Sequence, residues 1–258
     1  MIPLRDDNPT LLTPFVTVAI IIANVAVWLY LQGGGMSERV LATSVCQFGT
    51  IPAEITGMTG GYGGVQLGDP LRTAPCVFGG MTWSTIFTSM FLHGSWLHLI
   101  GNMWFLWLFG NNIEDSMGHL RYLVFYLLGG VVGGAAHIFI NAGSVVPTIG
   151  ASGAISSVMG AYLVLYPRIR IQTLFILFVF IKIISVPAWV ILGEFFVIQI
   201  LTGMAAAGSA GGVAVWAHIG GFGAGLLLVK VFENRVLVEA RKQHLQLSAF
   251  EVKHRGWW

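Results

Sequence analysis

Four side chains in this sequence could supply the parts of one reaction. Ser152 stands between two small residues in "TIGASGAISS", His218 sits in "WAHIGGFGAG", and His98 and Asn102 lie four apart in "HLIGN". A serine hydroxyl is a weak nucleophile until a neighbouring base takes its proton, and an imidazole is suited to that task. The tetrahedral intermediate then needs donors for its oxyanion. An asparagine amide, a second histidine, or the unpaired N–H groups at a helix N-terminus can provide them. The chemistry would be acyl transfer. No metal or other cofactor is implied, since the chain has no H-E-x-x-H motif and no Cys/His cluster.

Each residue also has a plainer use. "GASG" is more often a packing motif that lets helices approach, and a lone histidine in an apolar helix is often a hydrogen-bonding contact. Spacing favours the chemical reading. Ser152, Ser156 and Gly160 fall on one face of a helix, and His218, Gly221 and Gly225 on one face of another. Two such small-residue faces allow close backbone approach, which would bring the imidazole to the hydroxyl. His98 and Asn102, at i and i+4, share a face as well, with His93 upstream near the surface.

The elements that carry these residues are membrane spans. The chain of 258 residues is 55% hydrophobic and only 9% charged, against about 25% charged in soluble domains. Such a chain cannot cover a water-facing surface and reads as a polytopic membrane protein. No basic stripe accompanies the aromatics, so nucleic acid is not a partner. Spanning needs about 20 apolar residues, with a range of roughly 17 to 25. The candidates are residues 15–31, 96–110, 122–140, 152–166, 186–202 and 212–232, with the polar "NNIEDSMGHLR" after the second read as a turn that ends it. The first follows "MIPLRDDNPT", which carries acids and no cleavage site, so it is read as an uncleaved span.

Lys and Arg near span ends set the orientation. Arg121, Arg168, Arg170, Lys230, Arg235, Arg241 and Lys242 mark one side, read as the cytoplasm. With Arg168 and the tail on that side, the chain between them crosses twice. The last span is one crossing, so residues 171–201 supply only one more. Val186–Thr202 is assigned to it, and Ile171–Ile184 becomes an interfacial or partly inserted lead-in. The whole chain, 1–258, is then a single membrane-embedded domain with six spans and both termini cytoplasmic. Residues 32–95 form a glycine-rich extracytoplasmic loop, and 233–258 form a cytoplasmic tail with an amphipathic, surface-lying helix. Cys46 and Cys76 both fall in that loop, on the side where disulfides persist, and are expected to bond. The fourth span, "SGAISSVMGAYLVLY", is short against the hydrocarbon core. Its start at Ser152 would therefore lie below the outer surface, after irregular backbone lining a cavity.

Three motifs, "HGSWLHLIGNMWFLW", "GASGAISSVMGAYLVLYP" and "AHIGGFGAGL", in this order on spans two, four and six, resemble the rhomboid family of intramembrane serine proteases. The likeness runs from about Trp83 to Phe232. It implies a Ser–His dyad without an acid, Ser152 as nucleophile and His218 as base. It further implies an oxyanion site from Asn102, His98 and the Ser152 N–H, a membrane-dipping loop after span one, and span five as the lateral gate. Three departures stand out. "TWSTIFTS" keeps Trp83 without a following arginine; Ser156 stands where some members stack a tyrosine on the histidine; and Glu194 is unusual within span five.

The expectation is an all-α membrane enzyme, a serine endopeptidase that cleaves peptide bonds in or near transmembrane segments of other proteins. Its partners would be those segments and the lipid bilayer of the cell (inner) membrane. The rival is a non-proteolytic relative that holds client helices, and loss of the serine or histidine would mark it. A transporter would want inverted repeats and charged midplane residues, and beyond Glu194 neither is found. His137 in span three completes the polar candidates within the spans.

Overall fold

The computed structural model describes residues 1–61, 63–79, 83–177, 180–205 and 214–242. In chain order the elements are β1 (Ile2–Asp6), α1 (Phe15–Ala26), α2 (Glu38–Phe48), α3 (Pro52–Thr56), β2 (Gly64–Val65), β3 (Cys76–Val77) and α4 (Thr85–Thr88). They continue with α5 (Trp96–Phe105), α6 (Asn111–Met117), α7 (His119–Ile140), α8 (Ser152–Leu165), β4 (Arg170–Leu177) and β5 (Phe180–Pro187). The last three are α9 (Ala188–Ala205), α10 (Val215–Phe232) and α11 (Arg235–Lys242). Among the described residues α7, α9 and α10 are long and apolar enough to cross a membrane, and two shorter apolar helices cover Phe15–Leu31 and Ser152–Leu165. Large apolar side chains such as Ile22, Phe139, Leu201, Leu227 and Val231 point outward. Such outward apolar faces suit lipid. The chain is a mostly helical membrane protein.

Helices α8 and α10 pack at the centre with α7 beside them, and Tyr122, Phe125, Tyr126, Tyr162 and Phe222 fill the core. The segment "NNIEDSMGHLR", expected to be a turn, instead extends the second apolar helix through α6 and stops at Gly118, whose φ is +80°. Its acids work there as caps. The buried Glu114 carboxylate accepts from the backbone N–H groups of Val16 and Thr17 at 2.9 and 2.8 Å, and from the Thr17 hydroxyl. These are orphan donors at the start of α1, where a negative charge also meets the helix dipole favourably. Asp115 does the same for the N–H groups of Leu11 and Leu12.

The expectation of an all-helical chain fails chiefly before α9. Ile171–Ile184, expected as an interfacial or partly inserted lead-in, is β-strand rather than helix. β4 and β5 pair as an antiparallel hairpin, and β1 adds to β4, giving the order β1-β4-β5. The sequences "RIQTLFIL" and "FIKIISVP" are rich in β-branched and aromatic residues, which fit a pleated surface better than a helix. The N-terminal strand, which carries no sequence mark of its own, supplies the partner edge. Asp6 then ties the sheet to the bundle, accepting from Asn112 Nδ2 at 2.7 Å and from the Tyr162 hydroxyl at 2.6 Å. A single apolar helix, α9, follows the hairpin. It starts at Ala188 rather than Val186 and ends at Ala205.

The glycine-rich segment after α1 is folded too. β2 and β3 form a small hairpin, and Cys46 is bonded to Cys76 with Cα atoms 5.4 Å apart. α11 places an amphipathic turn at the start of the tail; residues 243–258 lie outside the described residues.

Candidate active site

Local chain geometry makes Ser152 the first residue of α8. Thr148 and Thr50 exchange two backbone hydrogen bonds of 2.7 and 3.0 Å, and the Gly150 N–H donates to the Ser89 carbonyl at 2.9 Å. These ties pin the irregular stretch before α8 against the long loop. Gly150 has φ +124°, a conformation that side-chain-bearing residues rarely adopt. A Cβ built there would sit 2.8 Å from His98 Nε2 and 3.6 Å from Ser152 Oγ. The glycine thus keeps open a small space between imidazole and hydroxyl.

The approach of α10 follows from its glycine face. A side chain at Gly221 would collide with the Gly153 carbonyl, and one at Gly225 with the Ser157 carbonyl. Backbone therefore packs on backbone, and His218, one turn earlier, reaches the start of α8. His218 Nε2 lies 2.7 Å from Ser152 Oγ. At this distance the hydroxyl donates to an unprotonated Nε2.

The other face of that imidazole was not expected. His218 Nδ1 lies 2.8 Å from Gln199 Oε1 on α9, and the Phe195 ring, one turn before Gln199, stands 6.3 Å from the imidazole centroid to centroid. Sequence reasoning looked within span five for ionisable residues, stopped at Glu194, and passed over the amide. The available signal was Phe195 and Gln199 at i and i+4 on a single face. Glu194 is half-buried and does not line the cavity.

His98 and Asn102 stand on the next helix wall. Ser95 caps α5 by accepting from the His98 N–H at 3.1 Å, and the Gly94 N–H reaches His98 Nδ1 at 3.3 Å. With Nδ1 accepting, Nε2 carries the ring proton and faces the space beside Gly150. Asn102 Nδ2 lies 3.0 Å from His93 Nε2. An amide nitrogen has two protons, so one can go to His93 and one remains. His93, expected near the surface, is fully buried. Burial, and then the adjacent His98, push its imidazole down to about 3. Gln32 fixes it from behind, donating to the His93 carbonyl at 2.7 Å and accepting from its N–H at 2.8 Å. Neither role of Gln32 is marked in the sequence.

A cavity of about 600 Å³ joins Ser152, His218, His98 and Asn102, with residues 144, 146–149, 156 and 195 among its walls. His137 also lines it. The irregular backbone before α8 is thus a cavity wall, as expected. The assembled groups are a hydroxyl hydrogen-bonded to an imidazole, two side-chain donors across a small gap, and backbone N–H groups at a helix start. This constellation suits attack on a carbonyl.

Fold and site together define a membrane protein with a part-buried serine–histidine pair opening on a cavity. The Rhomboid domain profile matches residues 80–235, and the chain belongs to the rhomboid family. It is similar to the presenilin-associated rhomboid-like protein A, mitochondrial, of Danio rerio, 35% identical over 85 residues, covering 32% of this chain and 22% of that protein. The human presenilin-associated rhomboid-like protein, mitochondrial, is 32% identical over 95 residues, covering 36% and 25%. RHOMBOID-like protein 6, mitochondrial, of Arabidopsis thaliana is 27% identical over 181 residues, covering 62% and 54%. The chain thus spans about a quarter of the presenilin-associated relatives and about half of the plant protein.

Proposed function

We propose that this protein is an intramembrane serine endopeptidase that hydrolyses peptide bonds in or near transmembrane segments of other membrane proteins. The observation that carries the reading is the 2.7 Å contact between Ser152 Oγ and His218 Nε2 inside the cavity. Ser152 attacks the scissile carbonyl as His218 takes its proton. The oxyanion is held by the Asn102 amide, His98 Nε2–H and the Ser152 N–H. His218 then returns the proton to the leaving amine, and water releases the acyl group by the same route in reverse. The apolar outer surface supports a bilayer as solvent and a transmembrane segment as substrate.

Six crossings over the single domain 1–258, with both termini on the cytoplasmic face, belong to the same reading, with residues 32–95 forming the extracytoplasmic loop. So does residence in the cell (inner) membrane. The relatives' names say mitochondrial, so fractionation against an inner-membrane marker decides the compartment. The test of function is cleavage of a reporter transmembrane substrate in liposomes by wild type beside Ser152→Ala and His218→Ala. Cleavage by wild type alone is expected. Equal cleavage by Ser152→Ala would show that another group does the chemistry.

A further inference from the structure

We infer that Gln199 is the positioning residue for the base, so that the working unit is Ser152–His218–Gln199 with an uncharged third member. The inference rests on the proteolytic reading of Ser152 and His218 and adds a residue on a different helix. The geometry is a relay of two short contacts through one ring: Ser152 Oγ to His218 Nε2 at 2.7 Å, and His218 Nδ1 to Gln199 Oε1 at 2.8 Å. An amide oxygen only accepts, so Nδ1 must carry the proton in that contact. Nε2 is then the unprotonated nitrogen, and it faces the serine. The Gln199 acceptor thereby selects the tautomer that can act as base, much as an outer hydrogen-bond partner fixes the ring of a metal-bound histidine. Phe195, one turn earlier on the same face of α9, limits the tilt of the ring.

The third member's neutrality follows from its surroundings. His218 is buried, and a carboxylate there would bring a desolvation cost that an amide avoids. Among the described residues no Asp or Glu is hydrogen-bonded to His218. What the amide gives up is charge: it orients the imidazole without strongly stabilising the imidazolium that forms during attack. The site gains orientation and tautomer selection.

The experiment uses the full chain in liposomes with three variants, Gln199→Leu, Gln199→Glu and Gln199→Asn. It reads kcat and KM on a reporter transmembrane substrate, the rate at which a fluorophosphonate labels Ser152, and the His218 tautomer by 15N NMR. Gln199→Leu should lower kcat and the labelling rate by about 10–100-fold, the usual cost of losing such an outer partner, with KM changed little. Its His218 signal should become a mixture of tautomers. Gln199→Glu should restore most of the rate and move the acid limb of the pH profile upward, because a carboxylate favours the protonated imidazole. His98 and His137 line the same cavity and contribute to that limb in every variant, so the shift is read as the difference from wild type. Gln199→Asn, with a shorter reach, should recover only part.

A packing role alone would leave tautomer and pH profile where they are in wild type. The NMR reading does not depend on catalysis, so it decides even where a variant is poorly active. Wild type labelled and cleaving beside an equally fast Gln199→Leu with a single Nδ1–H tautomer overturns the assignment of Gln199 alone. A wild type that neither cleaves nor is labelled overturns the protease reading, and the positioning role with it.

Discussion

At the scale of the residue, the proposed reaction divides the site into groups that would react and groups that would receive charge. Asn102 belongs to the second kind, and one of its two N–H groups is already committed to His93. Asn102→Ala should lower kcat by about 10²–10³-fold, the cost of removing one oxyanion donor, yet leave activity above that of Ser152→Ala, because other donors remain. Single-turnover cleavage measures it. His93 adds a pH dependence of its own. Its folded imidazole is held down to about 3, chiefly by burial, whereas the unfolded one takes up a proton near 6.5. The unfolded state binds more protons between those values, so stability from the neutral ring is complete above about pH 6.5 and drains away as pH falls toward 3. Thermal midpoints in detergent should fall with acid in wild type and fall less in His93→Gln. The serine, histidines and asparagine were legible in the sequence because reactive types stand out in apolar surroundings. Gln199 and Gln32 were not: an amide is no oddity by composition, and its partner is set by helix packing that no local pattern encodes.

At the scale of the element, the glycine face of α10 governs whether the site exists. The carbonyl of Gly153 occupies the place a Cβ on Gly221 would need. Gly221→Ala must push α8 and α10 apart, at about 1–3 kcal/mol for overpacking. It should also move His218 off Ser152, and a displacement near 1 Å can cost about 10²-fold in rate. A fall in thermal midpoint with a much larger loss of cleavage is the expected pair of results. An unchanged cleavage rate would mean that the close approach does not set the dyad. The small-residue stripes predicted this helix pair well, since periodicity is a property of the sequence itself. The hairpin of β4 and β5 escaped, because an apolar run reads alike as helix or strand and its partner strand lies at the far end of the chain. The polar run at Asn111–Met117 was misread for a related reason. Its acids look solvated, yet Glu114 and Asp115 are buried and spend their oxygens on the backbone before and within α1.

At the scale of the whole molecule, sidedness is the testable quantity. The sheet places the N-terminal strand beside the hairpin that precedes α9. A membrane-impermeant maleimide applied to Lys182→Cys should therefore react from the same side as reporters fused at either terminus, and opposite sides would break the six-crossing topology. The same sheet has a mechanical consequence. β5 ends at Pro187 and α9 begins at the next residue, so the foot of this helix is stitched through the sheet to both β4 and β1, while Gln199 lies far along the rod. Eleven residues of helix are about 17 Å. A swing of about 10° about that anchored foot would carry Gln199 roughly 3 Å, further than any hydrogen bond can stretch. If α9 is the lateral gate that the family resemblance implies, the door that would admit a substrate helix also holds the catch of the proposed base. Ajar, it would leave the imidazole free to turn; shut, it would cock the proposed nucleophile again.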